Sequence, residues 1–154
     1  NAKWSSKRNK MIKYIYDQLE IIAGANANKP TFDYGSVFEV NEDQKMQPPL
    51  IYYTDDWILT RNKDTFELTF YVLFLESEND TLTNSDKKKN RNFAHDRMTR
   101  LAFQIFNELR VLQDLELLQY INSIPITNEF NDAMTGCRTQ FLLVYPTNCE
   151  IGVL

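Results

Sequence analysis

Hydrophobic and polar residues follow two different periods along this chain, and the two periods predict helices and strands. Apolar side chains recur at three- and four-residue steps over residues 10–24, which predicts an amphipathic helix that Gly24 and Pro30 bring to an end. A broader apolar stripe over residues 92–118 predicts a second helix with Asn92 as its N-terminal cap. Such a wide stripe is typical of a helix that packs against a sheet.

A period of two marks the clearest strand. Residues 65–76 alternate in polarity and become apolar at almost every position in their second half, which predicts a long strand covered on both faces at that end. Residues 50–53 predict an edge strand, since Pro48 and Pro49 cannot donate to a ladder. Residues 57–61 are expected to continue that strand after a bend.

The C-terminal part predicts an antiparallel hairpin. Apolar runs at residues 120–126 and 137–145 flank the polar segment NEFNDAMTG, in which Gly136 supplies the backbone freedom that a longer loop needs. Cys137 is expected to pack as a small apolar residue. The connection before the first sheet strand is predicted to be extended, with one short strand at residues 37–40. This element order predicts an α+β fold, a mostly antiparallel β-sheet packed by two main helices.

The chain is predicted to form a single domain over residues 10–154, preceded by a basic arm at residues 1–9 and carrying a long polar loop at residues 77–92. The net charge of −4 and pI of about 5.0 give no overall attraction to nucleic acid or to an anionic membrane. Basic residues nevertheless cluster in the arm and the loop, where we expect contacts with a neighbouring subunit or another partner. The expected contact residues are Trp4, Lys7, Arg8, Lys87, Lys88, Lys89 and Arg91.

Residue types that carry chemistry are sparse. His95 is the single histidine, so a metal site with several histidine ligands is not expected, and Cys137 and Cys149 lack zinc-site spacing. The paired carboxylates at residues 55–56 are typical of a solvated turn, and the four glycines form no phosphate-binding loop. We therefore expect no catalytic residues, no cofactor and no metal. No apolar run approaches the roughly 18 residues that a membrane span needs.

The C-terminal hairpin resembles that of tail-terminator and tail-completion (neck) proteins of tailed bacteriophages, especially those of Bacteroidetes phages. Their pattern is an apolar helix, a strand, F-x-D-x-x-x-G and a final strand, often followed by a cysteine. Phe130, Asp132, Gly136 and Cys149 match it here, and residues 96–109 match the helix. Of these residues, Phe130, Asp132 and Gly136 are expected to shape the hairpin loop. The N-terminal helix, the FDYG stretch and the PPLIYY strand fit the same layout.

The resemblance implies a tail-terminator-like fold and a homo-oligomeric ring in the head–tail neck, which joins the portal to the tail around the DNA channel. The implied partners are other neck, portal and tail proteins, and DNA passes through the lumen without specific recognition. It further implies a virion location after assembly in the host cytoplasm, with no enzymatic activity and no cofactor. A long-tail terminator and a short-tail neck ring both fit.

Two other functions remain open at this point. A non-viral α+β adaptor would bind a protein through its sheet edge. A small hydrolase or nuclease would need His95 and the carboxylates to converge in one cleft.

Overall fold

The computed structural model describes residues 11–36, 49–77, 83–111, 117–129 and 134–146. These residues form two helices and six strands, and this confirms the predicted α+β class. The elements are α1 (Met11–Ala25), β1 (Thr31–Gly35), β2 (Leu50–Thr54), β3 (Ile58–Arg61), β4 (Thr65–Ser77), α2 (Asn84–Val111), β5 (Leu118–Glu129) and β6 (Met134–Pro146).

The strands form one sheet in the order β1-β2-β4-β6-β5, and all described pairings are antiparallel except the parallel one between β1 and β2. The prediction of an edge strand at residues 50–53 is wrong, because β1 pairs with the free side of β2. Pro49 does not interrupt this pairing. It lies before the strand, and its carbonyl oxygen accepts a hydrogen bond from the Thr31 N–H at 2.8 Å. The predicted strand at residues 37–40 lies outside the described residues.

The long strand β4 organises the sheet. It pairs with β6 over its whole length, from Thr65 to Ser77. Its other side pairs first with β3 and then with β2, so that these two short strands lie end to end. This arrangement confirms that residues 57–61 continue the line of β2 after a bend. The turn between β3 and β4 is closed by a hydrogen bond that the Asn62 N–H donates to the Thr65 carbonyl oxygen (2.8 Å).

Both helices pack on one face of the sheet and enclose the main core. This core takes alternate residues of the central strands, such as Phe70, Val72 and Phe74 of β4, together with apolar residues of α1 and α2. Leu73 and Leu75, whose side chains lie on the other face of β4, belong to a second buried cluster. The alternation follows from the two-residue period of a strand. It confirms that the second half of β4 is covered on both faces.

The second helix starts earlier than its apolar pattern predicts. α2 begins at Asn84, so residues 84–92 are helical and not part of a loop, and Asn92 is not the cap. Thr83 has that position: its hydroxyl donates to Asp86 Oδ2 (2.7 Å) and accepts from the Asp86 N–H (3.4 Å). At the other end the structure describes the helix only to Val111, and Leu118 already belongs to β5.

The first helix ends close to its predicted position. α1 runs to Ala25 and contains Gly24 within its last turn. The chain then turns through Asn26, whose side-chain oxygen accepts the Asn28 N–H at 2.9 Å, and Lys29 takes a left-handed conformation with φ of 46°. Neither of the two described helices is long and apolar enough to cross a membrane.

Candidate interaction surfaces

Several residues that the sequence singled out lie outside the described residues. These are Trp4, Lys7 and Arg8 of the basic arm, and Phe130 and Asp132 of the hairpin loop. The expected contacts of the three arm residues, and the expected role of Phe130 and Asp132 in shaping the hairpin loop, therefore stay predictions. The hairpin itself is confirmed, since β5 and β6 pair antiparallel on either side of residues 130–133.

Gly136 does not shape the hairpin loop by backbone freedom. It lies within β6, where it is buried and paired with Leu75 on one side and Ile126 on the other. A Cβ at this position would overlap the carbonyl oxygen of Phe74 and lie 2.9 Å from its carbonyl carbon. The glycine is needed because the backbone of β4 approaches too closely for any side chain. The prediction placed it correctly in the hairpin but gave the wrong reason for it.

The basic cluster lies on the first turns of α2. Lys88 and Lys89 are exposed, whereas Lys87 and Arg91 are half-buried. Lys87 and Arg91 are four residues apart and lie on the same face of the helix as the buried Ala94. The aliphatic stems of Lys87 and Arg91 can therefore cover part of the molecule while their charges reach solvent. The cluster is a helical surface, and its role in contacts stays a prediction.

His95 is half-buried on α2, where its side chain contacts β5. Its Nε2 atom lies 3.2 Å from the Ile126 carbonyl oxygen and 3.1 Å from the Thr127 hydroxyl. The imidazole thus connects α2 to β5, on the edge of the sheet. This contact accounts for the residue as a structural link between the helix and the strand.

Cys137 lies in the main core, as predicted for a small apolar residue, and is 2% exposed. Burial raises the pKa of its thiol above the usual range, against the opposing effect of hydrogen bonds with nearby hydroxyls. One of these is the Thr139 hydroxyl at 3.6 Å, which in turn lies 2.8 Å from the Ser123 hydroxyl. A buried thiol held in its neutral form is a poor nucleophile.

The carboxylates occupy separate ion pairs. Asp56 pairs with Arg138, with 2.6 Å between Oδ2 and Nη2, and the same guanidinium lies 3.7 Å from the centroid of the Tyr71 ring. Glu76, near the C-terminal end of β4, forms an ion pair with Arg97 in which two nitrogen atoms of the guanidinium donate to the carboxylate. Tyr71 and Glu76 are five residues apart along the strand, or about 17 Å. No group of three metal-ligating side chains occurs among the described residues.

A cleft of about 440 Å³ lies beside the Glu76–Arg97 pair, between α2 and the start of β2. Its polar lining includes Arg97, Arg100 and Gln104. Arg97 is held by Glu76, and Arg100 Nη2 lies 2.9 Å from Asp96 Oδ2. Both guanidinium groups therefore already have carboxylate partners within the chain.

The β5 end of the sheet carries a large share of exposed apolar side chains. We define the β5 end as the last turns of α2, Leu117 and both faces of the edge strand β5. Its exposed apolar residues are Phe103, Val111, Leu117, Ile121 and Ile124, which are between 42% and 78% exposed.

An open groove of about 500 Å³ lies within the β5 end. Its walls include Phe106, Leu117 and Tyr120, and Arg110 lines it as well. The Arg110 guanidinium lies 5.5 Å from the centroid of the Phe106 ring. The groove is therefore aromatic and aliphatic, with one cation placed over an aromatic ring.

The opposite end of the sheet carries acidic residues. We define the β1 end as the exposed side of α1 together with β1. Ile21 and Tyr34 are 56% and 55% exposed there, and Tyr34 packs edge to face on Tyr16 at 4.4 Å between ring centroids. Burial, a hydrogen bond to Glu20 and the negative charges of Glu20 and Asp33 raise the pKa of Tyr16 to about 12.

Neither edge strand presents an uninterrupted ladder for another strand. In β1 the Tyr34 N–H already donates to the Asp33 side chain at 2.8 Å. β5 contains Pro125, which has no N–H, and a register shift between Tyr120 and Asn122. These are devices by which natural sheets resist strand addition at their edges. Contacts at the two ends are therefore expected to use side chains.

Sequence reasoning identified neither end of the sheet as a surface. The exposed residues of the β5 end belong to apolar runs that were assigned to a helix face and a strand, and only the strand order shows that β5 is an edge. Lone apolar residues such as Ile21 carry no signal until the helix is placed. No protein-family model and no curated protein matches this sequence.

Proposed function

We propose that this chain is a structural ring subunit of the head–tail neck or tail-completion region of a tailed bacteriophage, where it joins the portal to the tail. The observation that supports this proposal most directly is the presence of two separate sheet ends with exposed apolar side chains, Ile21 and Tyr34 at one and Leu117 and Ile124 at the other. A subunit of a closed ring needs two such surfaces, because it contacts a neighbour on either side.

The resemblance of the C-terminal hairpin to neck proteins supports the same proposal. The proposal also agrees with the contacts of three polar side chains, His95, Asp56 and Glu76, which bind other groups of the same chain. His95 links α2 to β5, and Asp56 and Glu76 are held in ion pairs with arginines. These groups stabilise the fold, so a structural role accounts for them without a substrate.

In the proposed ring, duplex DNA passes through the lumen and is not bound. The net charge of −4 agrees with this, since a ring of acidic subunits repels the DNA phosphates. We expect no shift of duplex DNA in a gel at physiological salt. A tight complex whose affinity falls steeply with salt would contradict this part of the proposal.

Negative-stain imaging of the purified protein tests the proposal. The expected images show closed rings with a channel wide enough for duplex DNA, either from the protein alone or after addition of a portal complex from the same phage. A monomer that ignores the portal complex at every concentration and binds one unrelated protein would instead favour the adaptor function. β5 would be the candidate binding edge for that partner, since Ile121 and Ile124 are exposed along it.

A further inference from the structure

The two ends of the sheet differ in charge. The β1 end has the carboxylates of Glu20 and Asp33 close to Tyr16, on which the exposed Tyr34 packs. Lys13, on the same side of α1 as Glu20, is paired with Asp17, with 2.8 Å between Nζ and Oδ2. In the β5 end, Arg110 lines the groove beside Leu117. Exposed apolar side chains are thus combined with negative charge at the β1 end and with positive charge at the β5 end.

The two ends are also far enough apart to be occupied at the same time. β1 and β5 are separated by four strand spacings in the sheet, which is about 19 Å at roughly 4.8 Å each. One molecule can therefore hold a neighbour at each end. Two copies that met through the same end would instead bring like charges together, which is unfavourable at an interface.

We propose that the β1 end of one copy docks against the groove of the β5 end of a second copy, in a head-to-tail contact made by side chains. Tyr34 of one copy covers the groove around Leu117 of the next, and Glu20 lies close to Arg110. This proposal rests on the ring function proposed above, for which it identifies the contact between subunits. A head-to-tail contact closes into a ring when the rotation between copies is suitable.

Charge reversal at each end tests the contact. Arg110→Glu places a carboxylate against the acidic β1 end of the neighbour, and Glu20→Arg places a guanidinium against Arg110 of the neighbour. We expect each single variant to lose self-association by at least about tenfold, because it brings like charges to face each other in the contact. Both side chains are exposed, so the fold should remain, as circular dichroism can verify.

Two combinations should restore assembly. The double variant, with both Glu20→Arg and Arg110→Glu, has an arginine facing a glutamate in every contact, with the two charges exchanged. In an equal mixture of the two single variants, copies that alternate form contacts with the native pair and contacts with the exchanged pair in turn. Both should return to the wild-type mass in light scattering. If Glu20→Arg assembles as well as the wild type while Arg110→Glu does not, the contact joins two β5 ends and the proposal is overturned.

The chain offers matched controls for both reversals. Arg61 lies 5.7 Å from the Phe66 ring centroid, in the same kind of contact that Arg110 makes with Phe106. It is the last residue of β3, outside both ends of the sheet, so Arg61→Glu should leave assembly unchanged. Asp64→Arg, in the exposed turn after β3, is the control for Glu20→Arg. Equal losses in a reversal and its control, or failure of both combinations to assemble, would overturn the proposal.

The outcome also separates this contact from the proposed function. Closed rings that are indifferent to Arg110→Glu and Glu20→Arg would leave the ring function standing and overturn the head-to-tail contact. Open filaments that follow the reversal pattern would establish the contact but contradict a closed neck ring.

Discussion

Gly136 gives the sharpest test of how the sheet is built, through the substitution Gly136→Ala. The added Cβ would overlap the Phe74 carbonyl oxygen, and would lie 2.9 Å from the Phe74 carbonyl carbon and 3.1 Å from Leu75 Cα. Ordinary contacts between carbon atoms lie at about 3.5–4.0 Å. The obstacles are backbone atoms of β4, so no side-chain rotation can relieve the overlap.

The strands β4 and β6 must therefore move apart around this residue. Overpacking of this kind costs about 1–3 kcal/mol. Weakening one or two ladder hydrogen bonds adds about 1 kcal/mol each. We expect Gly136→Ala to lower the free energy of unfolding by about 2–5 kcal/mol in total, a large part of the 5–15 kcal/mol that is typical of a domain.

Urea unfolding followed by circular dichroism measures this change. All variants are compared at one protein concentration, because self-association stabilises the folded chain by mass action. Gly24→Ala is the matched control, since a Cβ at Gly24 in the last turn of α1 meets nothing within 4 Å. It should raise the stability by about 0.4–1 kcal/mol through the unfolded chain. If Gly136→Ala fell within about 0.5 kcal/mol of the wild type, the close approach of β4 would be refuted.

Three other changes have defined outcomes. The Tyr53 hydroxyl is buried and has no hydrogen-bond partner among the described residues. Tyr53→Phe should therefore leave the free energy of unfolding unchanged or raise it by about 1 kcal/mol, and a decrease of more than about 1 kcal/mol in urea unfolding would contradict this. Burial raises the pKa of the Cys137 thiol, so the thiol loses its proton at lower pH in the unfolded chain than in the folded one. The free energy of unfolding should therefore keep the full contribution of this thiol below about pH 8.5 and decrease as the pH rises. In urea titrations at a series of pH values, Cys137→Ala should reduce that decrease. An unchanged slope would rule out the thiol as its cause. Deletion of residues 1–9 should keep the thermal unfolding transition and weaken assembly in light scattering; an unfolded truncated chain would contradict the assignment of these residues as an arm.

Local periodicity was sufficient to predict the elements that the core dictates. α1, β4 and the C-terminal hairpin have apolar residues at the period of their own structure, because each packs against the core over most of its length. The start of α2 could not be predicted in this way. Residues 84–92 contain no buried apolar side chain, so the helix there depends on the Thr83 cap and on continuity with the turns that follow.

Features that depend on distant parts of the chain were also out of reach. Asp56 and Arg138 form an ion pair although they are 82 residues apart in the sequence, and the residues around each of them do not indicate this contact. β1 gives the parallel pairing that places β2 inside the sheet, but its five residues are too few to show a period. The requirement for Gly136 depends on the backbone of β4, so its sequence context indicated a turn and not a close approach between strands.

Ring assembly requires that this chain associates with itself. Light scattering across a concentration series, with and without the portal complex, measures the molar mass of the purified wild-type protein. For a ring we expect one fixed multiple of the 18.2 kDa chain over the upper concentrations, either for the protein alone or once the portal complex is added. A mass of one chain at every concentration, with and without the portal complex, would contradict it.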